Sequence, residues 1–254
     1  MYIPRIVGFT CQWSLPEEAS AANNSQFHGY PRIRLVQIAC VGRLDPLIVL
    51  ESFAEGADGV LIIGCSPLDC HYGQGNSQAE YTVKISKKLI ALTGLELERV
   101  KLLWYESSAK DIFGRQVRAF SEEIAKLGPC PLKNEPKGKL MINIQAAKNT
   151  ASEFRLRVLL GREKELTENV NAYGERIPLE KFTKLLDDVV EAEFVRHKIC
   201  VLMKTKPMSV KTIAKVTEVK SEIVLRQIVN LRRRNMIALH HVEGTTPFFK
   251  ALEA

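Results

Sequence analysis

Four cysteines stand within the first 70 residues, at Cys11, Cys40, Cys65 and Cys70. Thiolate is a soft ligand, and four of them can hold a zinc ion or an iron–sulfur cluster. Zinc sites commonly use tight C-x-x-C knuckles, and this chain has none. The step from Cys65 to Cys70 is C-x4-C, one step of the plant-type ferredoxin spacing, without the remaining steps. Around it, LIIGCSPLDCHYGQG (61–75) supplies Gly64, Pro67, Gly73 and Gly75, a compact loop whose backbone amides are suited to facing an anionic cluster. The two other cysteines differ. Cys130 sits between prolines and Cys200 in the apolar run ICVLM, so both are expected to be ordinary thiols.

The elements that must position the four thiols are a series of alternating strands and helices. RIVGFT (5–10) predicts a buried strand, and SLPEEASAANNSQF (14–27) a helix with Pro16 in its first turn. RIRLVQIAC (32–40) is a second strand, and DPLIVLESFAEG (45–56) a helix with Asp45 as N-cap, Pro46 at its first position and Gly56 at its close. GVLIIGC (59–65), a helix over 76–94, VKLLWYES (100–107) and a helix from about Asp111 to Leu127 complete the set. The expectation is an α/β fold, a mainly parallel four-stranded sheet flanked by helices. In such sheets, ligands bind outside the carboxyl ends of the strands. Cys11 follows the first strand, Cys40 ends the second, Cys65 ends the third and Cys70 lies in the loop after it, so topology delivers all four to one edge.

Composition bounds the function classes. With 254 residues and 46% hydrophobic content the chain can bury a proper core. It has no apolar run near the roughly 18 to 20 residues of a membrane span, and MYIPRIVGFT lacks the pattern of a secretory signal. A cytoplasmic protein is expected, where clustered cysteines serve as ligands or redox groups rather than disulfides. The formal charge of +7 is uneven: residues 1–128 carry 13 Lys and Arg against 14 Asp and Glu, residues 129–196 carry 12 against 11, and residues 197–254 carry 11 against 4. The excess lies in the last segment, which implies two functional units.

CQWS (11–14), CVGRLDP (40–46), GADGVLIIGC (56–65) and DCHYGQGN (69–76) together resemble the delta subunit of methyl-viologen-reducing hydrogenase, a family also called FlpD or MvhD, over about residues 4–133. The resemblance implies a 2Fe-2S cluster and a role in electron transfer rather than catalysis. It implies a relay between the flavin-containing HdrA-type subunit of a heterodisulfide reductase and a hydrogenase, formate dehydrogenase or other electron-donating subunit. The setting is methanogenesis, with electron bifurcation on the partner's flavin. One departure stands out: the family's C-x-W-C is C-x-W-S here, with Ser14 in place of the second cysteine. That leaves Cys11, Cys40, Cys65 and Cys70 as the ligand set. If Cys11 is not a family ligand, Ser14 or His71 would complete a three-thiolate site. His71 otherwise hydrogen-bonds the cluster or is simply solvated, and Arg43 either offsets cluster charge, pairs with Asp69 or faces water. Trp13, Tyr72 and Trp104 shield the site or pack at a domain edge.

Beyond Gly128, GPCPLKNEPKGK marks a linker, residues 151–172 a mixed-charge helix, and the amphipathic run after Pro178 a long helix ending before Pro207. Two short helices follow, over 208–218 and, capped by Ser221, over 221–235, and MIALHHVEGTTPFFKAL (236–252) gives two strands about a turn. That order matches a winged helix-turn-helix. The expected domains are an iron-sulfur-binding α/β domain (1–130), a linker and bracing helix (131–178) and a winged-helix domain (179–254). Lys220, Arg226, Arg232, Arg233 and Arg234 suit phosphates, but Glu222 occupies the turn where base contacts are usually made and the arginines bunch at the other end. The tail is therefore expected to dock protein rather than nucleic acid. The alternative is an iron–sulfur redox-sensing transcription regulator that binds DNA through the tail.

Overall fold

A computed structural model describes residues 2–14, 33–106, 110–133, 138–171 and 173–252, and its contacts divide the chain into two units, residues 1–141 and 142–254. In the first unit, strands β1 (Ile6–Cys11), β2 (Ile33–Ile38), β3 (Gly59–Cys65) and β4 (Val100–Tyr105) form one parallel sheet in the order β2-β1-β3-β4. Every residue of β3 is buried, which explains its unbroken apolar run: a central parallel strand is covered on both faces. Leu61 and Ile63 pack with Phe113, Val117, Phe120 and Ile124 of α3 (Lys110–Leu127). Strand alternation turns Val60 and Ile62 to the other face, on the side of α1 (Pro46–Ala54) and α2 (Gly75–Thr93), which pack on each other and on β3. The expected punctuation is present. The Asp45 carboxylate accepts from the Leu47 amide at 2.9 Å behind Pro46, and α2 ends at Gly94 with φ of 91°. The helix expected over 14–27 lies, beyond Ser14, outside the described residues.

At the amino ends of the strands, Asp58 is fully buried and ties four segments together. Its carboxylate accepts from Tyr2 Oη at 2.6 Å, the Arg5 amide at 2.8 Å, the Cys130 amide at 2.7 Å and Lys133 Nζ at 2.7 Å. Burial by itself pushes this carboxyl up, yet the Lys133 ammonium, the Tyr2 hydroxyl and the two amides hold it below its ordinary value. Arg99, equally buried, donates to Asp58 O at 2.9 Å and Gly128 O at 3.1 Å. Asp58→Ala leaves the carboxylate's donors without an acceptor and is expected to cost about 3 kcal/mol, read as a lowered denaturation midpoint of the full chain.

The second unit contains α4 (Lys139–Ala151), whose start carries the boundary, followed by α5 (Phe154–Gly161), α6 (Glu163–Glu168) and the long α7 (Leu179–Thr205). The single helix expected over 151–172 is thus replaced by an earlier helix and two short ones. The buried side of α4 includes Asn143, Ile144, Ala146, Ala147 and Thr150, residues too small and polar to give a strong apolar period. Phe154, the first residue of α5, is exposed. Next come the two-residue strand β5 (Met208–Ser209), α8 (Val210–Thr217), α9 (Ser221–Arg233), β6 (Ile237–Glu243) and β7 (Thr246–Ala251), the strands forming an antiparallel sheet ordered β5-β7-β6. The N-cap of α9 is Lys220, one residue before the expected Ser221. Cys200 lies in the apolar core with Ile199, Met203, Ile213, Ile228 and Phe249.

Candidate metal centre

Cys11 is the last residue of β1 and Cys65 the last residue of β3, adjacent strands at the point where the sheet order switches direction. Cys40 stands two residues beyond β2, on the other side of β1, at the start of a single helical turn (Val41–Arg43). Cys70 closes a second such turn, Pro67–Asp69. Cys11, Cys40 and Cys65 are buried and Cys70 is half-buried.

The thiols meet. Burial pushes Cys11 up to about 12 against the lowering effect of the Val41 amide, and the neighbouring Cys65 and Cys40 thiols add to the rise. That amide donates to Cys11 Sγ at 3.1 Å. Cys40 and Cys70 are linked through Gly75: a β-carbon built there would lie 2.5 Å from Cys40 Sγ and 3.3 Å from Cys70 Sγ. Gly75 is also the first residue of α2, so the positive end of that helix faces these two sulfurs. Burial thus favours the thiol form of Cys11, a poor nucleophile. A bound metal inverts that balance by taking the thiolate form. The donor set and the space kept open at Gly75 fit a thiolate-held metal group.

The surrounding residues sort plainly. Ser14 is buried, and its hydroxyl donates to Cys11 O at 2.9 Å and lies 3.0 Å from Thr10 Oγ1, locking the turn after β1. The His71 ring stacks on Trp13 with centroids 3.9 Å apart and meets Tyr72 edge-on at 5.0 Å. Trp13, Tyr72 and Leu68, the last 95% exposed, make an apolar rim at the loop. Trp104 presses on β3 at Gly64, where a β-carbon would come 2.3 Å from the indole. Arg43 and Asp69 are both exposed, and no ion pair joins them among the described residues.

Two features escape a reading of motifs. One is the Val41 amide, whose donation to sulfur depends on β1 and β2 being neighbours. The other lies in the second unit, where Glu153, Glu193 and His197 bring ligand atoms within 4.8 Å of one another, the sole trio of His, Cys, Asp or Glu to do so among the described residues. His197 Nε2 is 3.1 Å from Glu153 Oε2, Arg234 donates to Glu153 Oε1 at 3.0 Å, Arg196 donates to Glu193, and Arg155 Nη1 is 3.6 Å from Glu193 Oε1. Three guanidiniums facing two carboxylates more than offset their charge, so the trio is an ion-pair network and not a cation site. Burial pushes His197 below its ordinary 6.5, against the raising influence of Glu153 and Glu193 and with a further lowering from Arg196. The unfolded chain therefore takes up a proton that the folded one refuses. Stability is full above about pH 6.5 and falls below it, by up to about 1.4 kcal/mol per pH unit. His197→Gln is expected to flatten that fall in urea titrations at about pH 7.5 and about pH 5.5.

Residues 6–128, all within the first unit, match the family model for the delta subunit of methyl-viologen-reducing hydrogenase. The chain is 38% identical over 137 residues to the iron-sulfur subunit of the vhc F420-non-reducing hydrogenase of Methanococcus voltae, a match spanning 54% of this chain and 94% of that one. It is 36% identical over 126 residues, 50% of this chain and 92% of the relative, to the iron-sulfur subunit of the F420-non-reducing hydrogenase of Archaeoglobus profundus. A third match, 33% identical over 126 residues, is to the A subunit of the ferredoxin:CoB-CoM heterodisulfide reductase of Methanosarcina mazei, covering 50% of this chain but 16% of that longer one.

Proposed function

Since the chain belongs to the methyl-viologen-reducing hydrogenase delta subunit family, we propose that its first unit carries a 2Fe-2S cluster on Cys11, Cys40, Cys65 and Cys70. On this reading it relays electrons from a hydrogenase, formate dehydrogenase or other electron-donating subunit to an HdrA-type flavoprotein subunit of a heterodisulfide reductase-like complex. The observation that carries the proposal is the meeting of thiols from three adjacent strand ends and one loop at the switch point of the sheet. The match within a longer heterodisulfide reductase chain supports the choice of partner, because a domain found as part of one chain is suited to contacting that chain when separate.

Zinc is the competing occupant. Four thiolates about one zinc, each at about 2.3 Å, would put their sulfurs roughly 3.8 Å apart. The two occupants differ in metal and in inorganic sulfide, so composition separates them. A 2Fe-2S cluster, when bound, supplies a one-electron redox centre. The chain's part is to hold and tune it. The Val41 amide and the N-terminal end of α2 stabilise negative charge on the sulfurs, while Trp104 and the apolar strand ends exclude water from behind them. Trp13, Leu68, His71 and Tyr72 leave an apolar rim beside the thiols on which a redox partner can seat.

We read α7, α8, α9 and the β6–β7 hairpin as a winged helix-turn-helix, by the order of its elements. This keeps one alternative open, a redox-sensing regulator of transcription. Anaerobic purification with metal analysis and EPR of the dithionite-reduced protein tests both. About two irons and two sulfides per chain, with flavoprotein and dehydrogenase subunits accompanying, is the expected result. Zinc in place of iron overturns the cluster, and an iron-loaded protein that comes alone and binds promoter DNA overturns the relay.

A further inference from the structure

Helix α9 has one face in the core, through Val224, Gln227, Ile228 and Leu231, and another in solvent. Among the polar residues of the solvent face stand apolar ones. Leu225 is 51% exposed and Val229 41% exposed, an i, i+4 apolar pair at its centre. Arg226, Arg232 and Arg233 flank that pair, all exposed, and Glu222 stands at its N-terminal end. Beside Leu225 opens a cleft of about 400 Å³ between the starts of α8 and α9 and the hairpin turn, lined by Val210, Lys211, Glu222, Leu225, Thr246 and Pro247. Lys215 and Lys220 add further charge nearby in the chain.

We infer that this face of α9 and the adjoining cleft are a docking site for an acidic amphipathic helix of a protein partner. The chemistry is complementary in both respects. An apolar seam of two residues one turn apart takes apolar side chains at the same spacing from a facing helix. Arg226, Arg232 and Arg233 select Asp and Glu beside those side chains from Leu225 onward, while Glu222 keeps such charge away from the N-terminal end. The cleft next to Leu225 accepts one larger apolar anchor.

Nucleic acid fits the same face poorly. A helix laid in the major groove makes its base contacts from its N-terminal part, where this one presents Glu222 and Leu225. Carboxylate repels phosphate, and an apolar side chain finds only thymine methyl groups among the base edges. The docking site lies in the second unit and does not rest on the cluster, so iron content serves as an independent control.

The test uses the full chain with three synthetic probes in fluorescence anisotropy at physiological ionic strength. One is an amphipathic helical peptide with leucines at i, i+4 flanked by glutamates, the second the same composition scrambled, and the third a mixed-sequence DNA duplex. The amphipathic peptide is expected to bind at least about tenfold more tightly than the scrambled one. Leu225→Ser combined with Val229→Ser should remove that margin while iron content and ellipticity stay unchanged, both side chains being exposed. Arg226→Glu combined with Arg233→Glu should shift preference to a lysine-flanked peptide of the same apolar spacing. Equal binding of the two acidic peptides overturns the site, because it reduces the effect to net charge. So does tighter binding of the duplex that is indifferent to Leu225 and Val229. A concentration-dependent dimer of the chain, lost in the Leu225 and Val229 variant, assigns the face to a second copy and overturns the inference as well.

Discussion

Replacing Cys65 or Cys70 by alanine is expected to take the iron content from about two per chain to near zero, while Cys200→Ala leaves it unchanged. The contrast follows from where the thiols stand. Cys65 ends a central strand beside Cys11, and Cys70 shares with Cys40 the space in front of Gly75. Cys200 lies in the apolar core of the other unit, where its loss costs packing and no ligand. Cys11→Ala and Cys40→Ala should behave as Cys65→Ala does. His71→Ala should keep its iron, since its ring is engaged in stacking on Trp13, and Ser14→Ala should keep iron and lose some stability as the turn after β1 loosens. Metal analysis, visible absorption and EPR of the anaerobically purified variants decide the matter. Equal iron in the Cys65, Cys70 and Cys200 variants would sink the site. Full iron in Cys11→Ala with none in His71→Ala would replace the four-thiol set by three thiols and an imidazole.

Much of the first unit was legible because parallel strands buried on both faces write themselves as apolar runs, GVLIIGC above all, and because Asp45-Pro46 and Gly94 mark helix ends with residues of known mechanism. The placement of Cys11, Cys40 and Cys65 at carboxyl ends followed from those strands. Their delivery to one edge was expected with it, but which thiol neighbours which was not: that needs β2 and β3 to flank β1, and the order β2-β1-β3-β4 is a property of long-range packing that no local pattern encodes. The second unit was less legible for a different reason. Helix α4 buries alanines, an asparagine and a threonine, so its inner face carries too little hydrophobic contrast to be seen, and the break before α5 falls at Glu153, whose carboxylate is engaged by His197 and Arg234. Those partners lie 44 and 81 residues away, beyond the reach of any spacing argument.

Glycines around the site separate two kinds of crowding, and the second large effect follows from the difference. A β-carbon on Gly42 would come 2.3 Å from the carbonyl oxygen of Gly75 and 2.9 Å from its Cα. Those are backbone atoms at the start of α2, and they cannot yield without moving the helix. A β-carbon on Gly75 instead meets the Cys40 and Cys70 sulfurs, the ends of side chains that can rotate away when nothing holds them. Gly75→Ala is therefore expected to fold as well as the parent, with alanine contributing up to about 1 kcal/mol of helix preference, and yet to lose most of its iron, because the sulfurs that make room are those needed as ligands. Gly42→Ala should lose stability and iron together, by roughly 2 kcal/mol or more of overpacking. Ser77→Ala, exposed two residues further along α2, controls for altered helix propensity and should keep both. Urea denaturation of the metal-free chains and iron analysis of the loaded ones give the two readouts separately. If Gly75→Ala holds its full complement of iron, the space before Cys40 and Cys70 is not where the metal group sits, and the ligand set must be redrawn around Cys11 and Cys65.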